Sequence, residues 1–550
     1  MATTAIPQAT TTPPVKVLPV GDPGSGPTTQ APSLSLRGDV PTRLIERLLA
    51  CVLATGDLTE TTRAPFTGEE LITYPISTEA DVEEAFTRAR AAQREWAARP
   101  VADRARILGR IHHEAFARQD ELMDLLQIEA GKARYDAFAE AAAVAVYARY
   151  ISRTAPKVLG RHARQGVVPI VTKAYEVRHP RGVVGLVTAW NYPAVFAASD
   201  GYSALVGGNA IVHRPDVQAA LSAIWVRDLA VEAGLPGDLW QIVLGPGRSI
   251  GTAVVDRADA VAFTGSTAAG RAVAGRTGSR LIYTALELGG KNPFLVLADA
   301  EIDRAVEAVI RACFINAGQT CVGPERILVA RSVYDTFRTK LVARVERIRM
   351  GAGLNFDFEM GCLIDDTQLA SVAAQVDEAV AKGATVLTGG RPRPDLGPMF
   401  YAPTVLEDVT SDMELCAEET FGPVVALYPF DSVDEAVEMA NDTEYGLHAV
   451  LWTRDTRAGM AIAERIQAGT VEINDGIVAT WGSADVLQGG MKASGMGRRN
   501  GKYGILRFTE PQSVVIQRLH GIHPPGSMGH ELFTAVMTHS FKVLHKLPRP

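Results

Sequence analysis

G-V-V-G-L-V-T-A-W-N-Y-P, residues 182–193, decides how the chain is read. Its apolar core shows no polar alternation and has strand length, the pattern of a strand buried on both faces. It stops at the turn N-Y-P. The unit recurs downstream: A-I-V-H-R-P (210–215) is a second strand, followed by a helix to Gly234, Q-I-V-L (241–244) leads into G-P-G, and A-V-A-F (260–263) leads into T-G-S. Strands alternating with helices predict a parallel, doubly wound sheet. A second set runs from F-L-V-L near 294 through R-I-L-V near 326 to T-V-L near 386, so two α/β domains with a site in their cleft are expected.

Upstream, residues 78–153 read as helices. Thr78 and Asp81 make a capping-box start, and Val82, Ala85, Phe86, Ala89 and Trp96 recur at helical spacing. Pro100 breaks that helix, and periodicity resumes through Ile107, Ile111, Leu122 and Leu125. The stretch 167–180 is rich in β-branched and aromatic residues and predicts extended strand. Residues 1–40, rich in Thr, Pro, Gly and Ser, predict a disordered tail without a secretory or transit signal.

Bulk composition excludes several classes. The 550 residues carry a net charge of −7 and no long basic run, which argues against nucleic acid as a partner. Cysteines 51, 313, 321, 362 and 416 form no CxxC pair and suggest a reducing compartment, hence a cytoplasmic protein. No apolar run is long enough to span a membrane.

Three tempting motifs fail. G-S-T-A-A-G-R-A (265–272) lacks the Lys and Ser/Thr of a P-loop, and G-P-G-R-S-I-G (245–251) has its last glycine one place late for a dinucleotide fingerprint. His112-His113-Glu114 lacks the histidine of a zinc helix, since Ala117 stands there, and no metal site is expected. The two glycine turns still offer helix N-termini that attract phosphate, although ordinary βα loop chemistry would look the same.

Three cleft residues are ambiguous singly. Glu287, in T-A-L-E-L-G-G-K-N-P, is either a capping charge or a base. Asn191 could be a turn former. Cys321 could be a core cysteine, but its Gly-flanked polar segment N-A-G-Q-T-C-V-G-P-E-R (316–326) suits an accessible thiol better. Together they could supply base, oxyanion donor and nucleophile.

On these residues the chain resembles the aldehyde dehydrogenase superfamily from about residue 60 to 517. The matching stretches are W-N-Y-P (190–193), G-G-N-A (207–210), F-T-G-S-T-x-x-G (263–270), E-L-G-G-K-N-P (287–293) and G-Q-T-C (318–321). E-E-T-F-G-P-V (418–424), N-D-T-E-Y-G-L (441–447) and G-G-M-K-A-S-G-M-G-R (489–498) follow in the family's order, with thiol and acid 34 positions apart. The resemblance implies an α/β fold with a Rossmann-type cofactor domain, an α/β catalytic domain and a β oligomerisation arm. The boundaries expected are a tail over 1–40, the cofactor domain over 41–161 and 181–286, and the arm over 162–180 and 485–517. The catalytic domain is expected over 287–484 and an amphipathic extension over 518–550.

By the same resemblance Cys321 is the nucleophile, Glu287 the general base and Asn191 the oxyanion amide. Glu419 and Phe421 meet the nicotinamide ribose and ring. Trp190 lines the cofactor cleft, Gly265 and Ser266 face phosphate, and Gly245 and Leu288 belong to the cofactor site. Arg214 stands where the family usually has lysine on the adenine-ribose strand, and Val217 where NAD-preferring relatives often carry an acid. NADP or NAD is therefore implied, with a lean to NADP. The implied reaction oxidises a small-molecule aldehyde to its acid, with succinate semialdehyde as first candidate. The alternatives are an aliphatic or fatty aldehyde, a CoA-acylating enzyme and a non-catalytic relative. A homodimer or homotetramer is implied. The tail 531–547 places Leu532, Phe533, Val536, Met537, Ser540, Val543, Leu544 and Leu547 on one helical face, to pack on its own enzyme or a sister subunit, with peripheral membrane contact as the alternative.

Overall fold

The computed structural model describes residues 40–166, 172–477, 482–518 and 523–544. Residues 1–39 of the expected tail, 167–171 of the expected arm and Leu547 of the amphipathic face lie outside them.

Two sheets organise the chain. The first has six strands in the order Gly495–Met496, Tyr283–Glu287, Ala260–Thr264, Val183–Thr188, Ala210–Pro215 and Trp240–Ile242. All neighbours are parallel except the short Gly495–Met496 edge, which pairs antiparallel with Glu287 and Leu286. The second has seven strands: Thr385–Thr388, Thr404–Glu407, Val424–Phe430, Pro324–Ala330, Asn292–Val296, His448–Trp452 and Thr470–Ile473. There too a single edge pairing, Thr385–Thr388 against Thr404–Glu407, is antiparallel.

Both sheets are buried on both faces, which is why their strands read as unbroken apolar runs. In the seven-stranded sheet Phe294, Val296, Ile327, Val329 and Val450 join one apolar cluster, while the alternate residues Leu295, Leu297, Leu328 and Leu451 join another. The six-stranded sheet shares its core with the N-terminal helices Glu79–Ala98, Val101–Ala117, Gln119–Ala130 and Arg134–Val158. The capping box forms: Thr78 Oγ1 accepts from the Asp81 N–H at 3.2 Å and Asp81 Oδ2 accepts from the Thr78 N–H at 2.7 Å.

The helical region 78–153 is thus four helices rather than two, because Arg118 and the left-handed Gly131 add breaks to that at Pro100. Thr172–Pro180 is the centre of a three-stranded antiparallel sheet, flanked by His162–Arg164 and Thr509–Gln517. Two segments of the expected arm over 485–517 meet other parts of the chain. Residues 495–496 pair with the six-stranded sheet, and the Gly501–Leu506 helix packs on Arg134–Val158 and on Pro193–Val206. The outward projection begins at Thr509.

The C-terminal helix is His530–Leu544. Leu532, Val536 and Val543 on its apolar face are exposed within this chain, which leaves that face open to a sister subunit. Phe533, Met537 and Ser540 are half-buried. Among the described residues no helix is long and apolar enough to cross a membrane.

Candidate active site

E-L-G-G-K-N is the seam of the molecule. Glu287 ends a strand of the six-stranded sheet, and Asn292 begins a strand of the seven-stranded one. Four residues cross between, and they admit no bulk. A Cβ on Gly289 would fall 2.3 Å from Glu419 Oε2, while the Gly290 N–H donates to Glu419 Oε1 at 3.0 Å. The crossing thus fixes Glu287 and Glu419 together.

Cys321 stands on a loop wound against its preference. Asn316, Ala317 and Gly318 are left-handed in succession, with φ of 52°, 53° and 74°. Glycine is required at 318, where a Cβ would lie 2.0 Å from the Gly422 carbonyl oxygen. The strain at the other two is offset by hydrogen bonds. The Asn316 N–H donates to Asp136 at 2.9 Å, and Gln319 Nε2 donates to the Asn316 carbonyl at 3.0 Å. Gln319 Oε1 accepts from the Ile364 N–H at 2.9 Å, and Asn292 Nδ2 donates to the carbonyls of Cys321 (2.7 Å) and Gly323 (3.0 Å).

Asn191 reaches the same loop. Its Nδ2 donates to the Gln319 carbonyl at 3.1 Å, and the amide retains a second N–H. Its own carbonyl is held by Lys132 Nζ at 2.6 Å and Asn316 Nδ2 at 3.2 Å. Lys132 is fully buried, paired with Glu140 at 2.6 Å, and lies 3.9 Å from the Tyr192 ring centre. Burial lowers its pKa and Glu140 opposes that. Glu140 Oε1 also accepts from the Ala194 and Val195 N–H groups, capping the Pro193–Val206 helix.

The electrostatics are those of a dry, acidic pocket. Burial, then the Glu419 carboxylate, pushes the Cys321 thiol up to about 12; Arg499, Glu287 and the Val322 N–H act more weakly, Glu287 in the raising direction. Glu419 is pushed up to about 8, by burial and then by Glu325. Glu287 is also raised, chiefly by burial, against the pull of Arg499 and Arg507. Cys321 is half-buried, so the thiol is reachable. Cys321, Glu287, Asn191 and Glu419 are therefore brought together.

Glu419 and Phe421 are aligned from behind by Glu325, which accepts from the Thr420 N–H (3.0 Å) and the Phe421 N–H (2.9 Å) and is paired with Lys291. Phe421 is left-handed, at φ 53°, and its ring meets Trp190 edge-on at 5.6 Å between centres. Sequence reasoning passed over Glu325, Lys291, Lys132 and Glu140, two buried Lys–Glu pairs whose members would each be costly to leave unpaired.

The residues expected to meet the dinucleotide form a second cluster. Ser266 caps the Thr267–Ser279 helix, accepting weakly from the Ala269 N–H at 3.4 Å. Thr267 Oγ1 at its first turn is buried without a hydrogen bond among the described residues. Gly265 packs on Phe263, where a Cβ would lie 2.8 Å from the ring, and Leu288 closes on Gly270. Gly245 is at φ 146°, and Gly247 beyond it has nothing within 4 Å of a Cβ position. An unfilled hydroxyl, free helix N–H groups and an open glycine turn fit a pyrophosphate.

Arg214 is the penultimate residue of the Ala210–Pro215 strand, donates Nε to the Gly245 carbonyl at 2.8 Å and lies 3.4 Å from Asp216. Asp216 is a carboxylate one place before Val217, so the ribose end is less positive than Arg214 and Val217 alone suggest. His213 meets Thr188 and Trp240, and burial, helped by Arg214 and opposed by Asp200, drops it to about 3, so it is a neutral core residue. Arg326 spends its guanidinium on the carbonyls of Lys291, Met439 and Ala440, as a structural tie.

Comparison with known proteins agrees with this arrangement. The model of the aldehyde dehydrogenase family matches residues 54–514. A Mycolicibacterium smegmatis protein named "Putative succinate-semialdehyde dehydrogenase", with NADP(+) in its name, is 48% identical over 483 residues, covering 88% of this chain and 93% of the relative. The crystal structure of succinate-semialdehyde dehydrogenase from Burkholderia pseudomallei superposes with a TM-score of 0.81 at 35% identity, covering 84% and 95% of the two chains. An NAD+ complex of a Bacillus cereus aldehyde dehydrogenase gives 0.81 at 32% identity, covering 87% and 99%. The chain belongs to the aldehyde dehydrogenase family.

Proposed function

We propose that this enzyme oxidises succinate semialdehyde to the dicarboxylic acid, with NADP as preferred cofactor and NAD as an alternative. The supporting observation is the convergence on Cys321 of three separately anchored groups: Asn191 through the Gln319 carbonyl, Glu287 at its strand end and Glu419 across Gly290.

The reaction follows from these groups. The Cys321 sulfur, once deprotonated, adds to the aldehyde carbon, and the oxygen that gains the charge accepts from Asn191 Nδ2 and the Cys321 N–H. When bound, the oxidised nicotinamide supplies a positive charge beside the thiol and the hydride acceptor that makes the adduct a thioester. Glu419, Phe421 and Trp190 would hold its ribose and ring, Gly265, Ser266 and Thr267 its phosphates, and Arg214 the adenine ribose. Glu287 then takes a proton from water, the water oxygen bonds to the acyl carbon, the C–S bond breaks and Cys321 leaves as thiolate. A buried base beside the thioester favours hydrolysis over transfer to CoA.

The outer strand Thr509–Gln517 supports a reading of assembly, because Val514, Val515 and Ile516 are exposed on an edge that pairs with one strand among the described residues. The reading extends to a homodimer or homotetramer built on this arm, with the apolar face of His530–Leu544 against a sister subunit. Sedimentation with and without residues 520–550 checks that, and flotation with liposomes would show lipid binding instead. The function is tested by an aldehyde panel assayed with NAD and NADP, each with and without CoA. Succinate semialdehyde with NADP should give the highest kcat/KM, unchanged by CoA. Faster turnover of a long-chain aldehyde, or dependence on CoA, would refute it.

A further inference from the structure

Behind Glu287 lies a closed set of charges that the scheme above does not use. The Pro193–Val206 helix is wholly buried and apolar except for Asp200 and a few small polar residues. Arg499 gives Asp200 both Nε and Nη2, each at 2.9 Å, and shares Nη2 with Thr264 Oγ1 at 2.7 Å. Arg507 donates Nη2 to the same carboxylate. Its Nη1 faces Glu287 Oε1 at 3.7 Å. Among the described residues neither that oxygen nor Arg507 Nη1 and Nε makes a hydrogen bond. Asp200 and Arg499 are 1% exposed, Glu287 5% and Arg507 6%.

With Glu287 ionised, the four charges sum to zero. Protonating Glu287 leaves an uncompensated positive charge among buried groups, which is costly. Burial pushes Glu287 the other way, toward its neutral form. The groups around it are Asp200 from the buried helix, Arg498, Arg499 and Arg507 from the C-terminal segment, Tyr147 from the Arg134–Val158 helix and the Cys321 thiol.

We propose that Arg507, fixed by Asp200 and Arg499, is a positioning residue that keeps Glu287 ionised and aligned for deacylation. This rests on the reading of Glu287 as the base. In the deacylation step the water proton moves to Glu287, the C–O bond forms and the C–S bond breaks. Glu287 then carries the proton beside two guanidinium groups with one carboxylate between them, and that imbalance drives the proton off before the next turnover.

The acyl-enzyme is formed with succinate semialdehyde and NADP, quenched at intervals, and counted by intact mass as the adduct on Cys321, from pH 5.5 to 9. Arg507→Met should still form the adduct, but the pH midpoint of its decay should rise by about one unit or more, slowing decay roughly tenfold on the acid side. Arg507→Lys should recover most of the shift. Asp200→Asn removes the compensating carboxylate and should move the midpoint down. Opposite shifts are not what loose packing produces. An unmoved midpoint in Arg507→Met overturns the proposal; should that variant not fold, an unmoved midpoint in Asp200→Asn does so. If Glu287→Gln loses its adduct as fast as the wild type, or the wild type forms none, the assignment of the reaction fails instead.

Discussion

The loop carrying Cys321 and the strand end carrying Glu287 are held in opposite ways. Around Cys321 the backbone is over-determined: three left-handed residues, a glycine under the Gly422 carbonyl, and side-chain hydrogen bonds from Asn292 and Gln319. Glu287 has a regular strand up to its own Cα and then a carboxylate oxygen that makes no hydrogen bond among the described residues, facing a guanidinium at 3.7 Å. The difference matches the tasks proposed for them. A nucleophile must meet a carbon within a few tenths of an ångström, which rigid backbone supplies. A base must accept and return a proton, which a tightly bonded carboxylate does poorly.

The comparison breaks hardest at the thiol. Cys321→Ala should reduce dehydrogenase turnover to background, a loss of about 10⁴-fold or more, as expected when a covalent nucleophile is removed. Thermal unfolding should barely move, because the loop is held by backbone and by its neighbours rather than by the sulfur. NADPH formation at the wild-type rate in this variant would remove Cys321 from the mechanism.

Glu287→Gln tests the other side. Acylation should survive and give one NADPH per site, after which turnover should be slower by roughly 10²- to 10⁴-fold, the usual worth of a general base. Stopped-flow absorbance separates the two phases. If the first phase vanished along with the second, Glu287 would be serving the loop and not the water.

Sequence patterning found much of this because both sheets are buried on both faces, so their strands show as apolar runs. Ala210–Pro215 coincides with the run read for it, and Val183–Thr188 and Ala260–Thr264 fall within a residue or two. Cys321, Glu287 and Asn191 were visible as polar residues where apolar or turn residues would do. The supports of the site were not, since Lys132 lies 59 positions from Asn191, and Glu325 lies 95 and 96 positions from Thr420 and Phe421, and no local pattern links them. Asp200 left a faint trace as a lone acid in an apolar helix, but Arg499 and Arg507, 299 and 307 positions later, carried no sign of being its partners. Two further features carried no sign in the sequence: strand pairing beside Glu287 claims residues 495–496, and the C-terminal helix has its apolar face exposed within this chain.

The smallest expected effect discriminates between the two regions most finely, because it concerns the field they share. Glu419 raises the Cys321 thiol, and is itself pushed up to about 8 by burial and by Glu325. Below about pH 8 the Glu419 carboxyl is mostly protonated and repels no thiolate; above it the charge appears and opposes thiol ionisation. Glutamine has nearly the same shape and can still accept the Gly290 N–H, but never ionises. Alkylation of Cys321 by iodoacetamide in cofactor-free enzyme, read by peptide mass spectrometry from pH 6.5 to 9.5, reports the thiolate fraction. Glu419→Gln should match the wild type at the acid end and pull ahead by about three- to tenfold as pH rises through 8, the size expected of one nearby like charge. A constant ratio across the range would mean that Glu419 acts on the loop through shape alone, and a slower variant above pH 8 would reverse the sign of the proposed coupling.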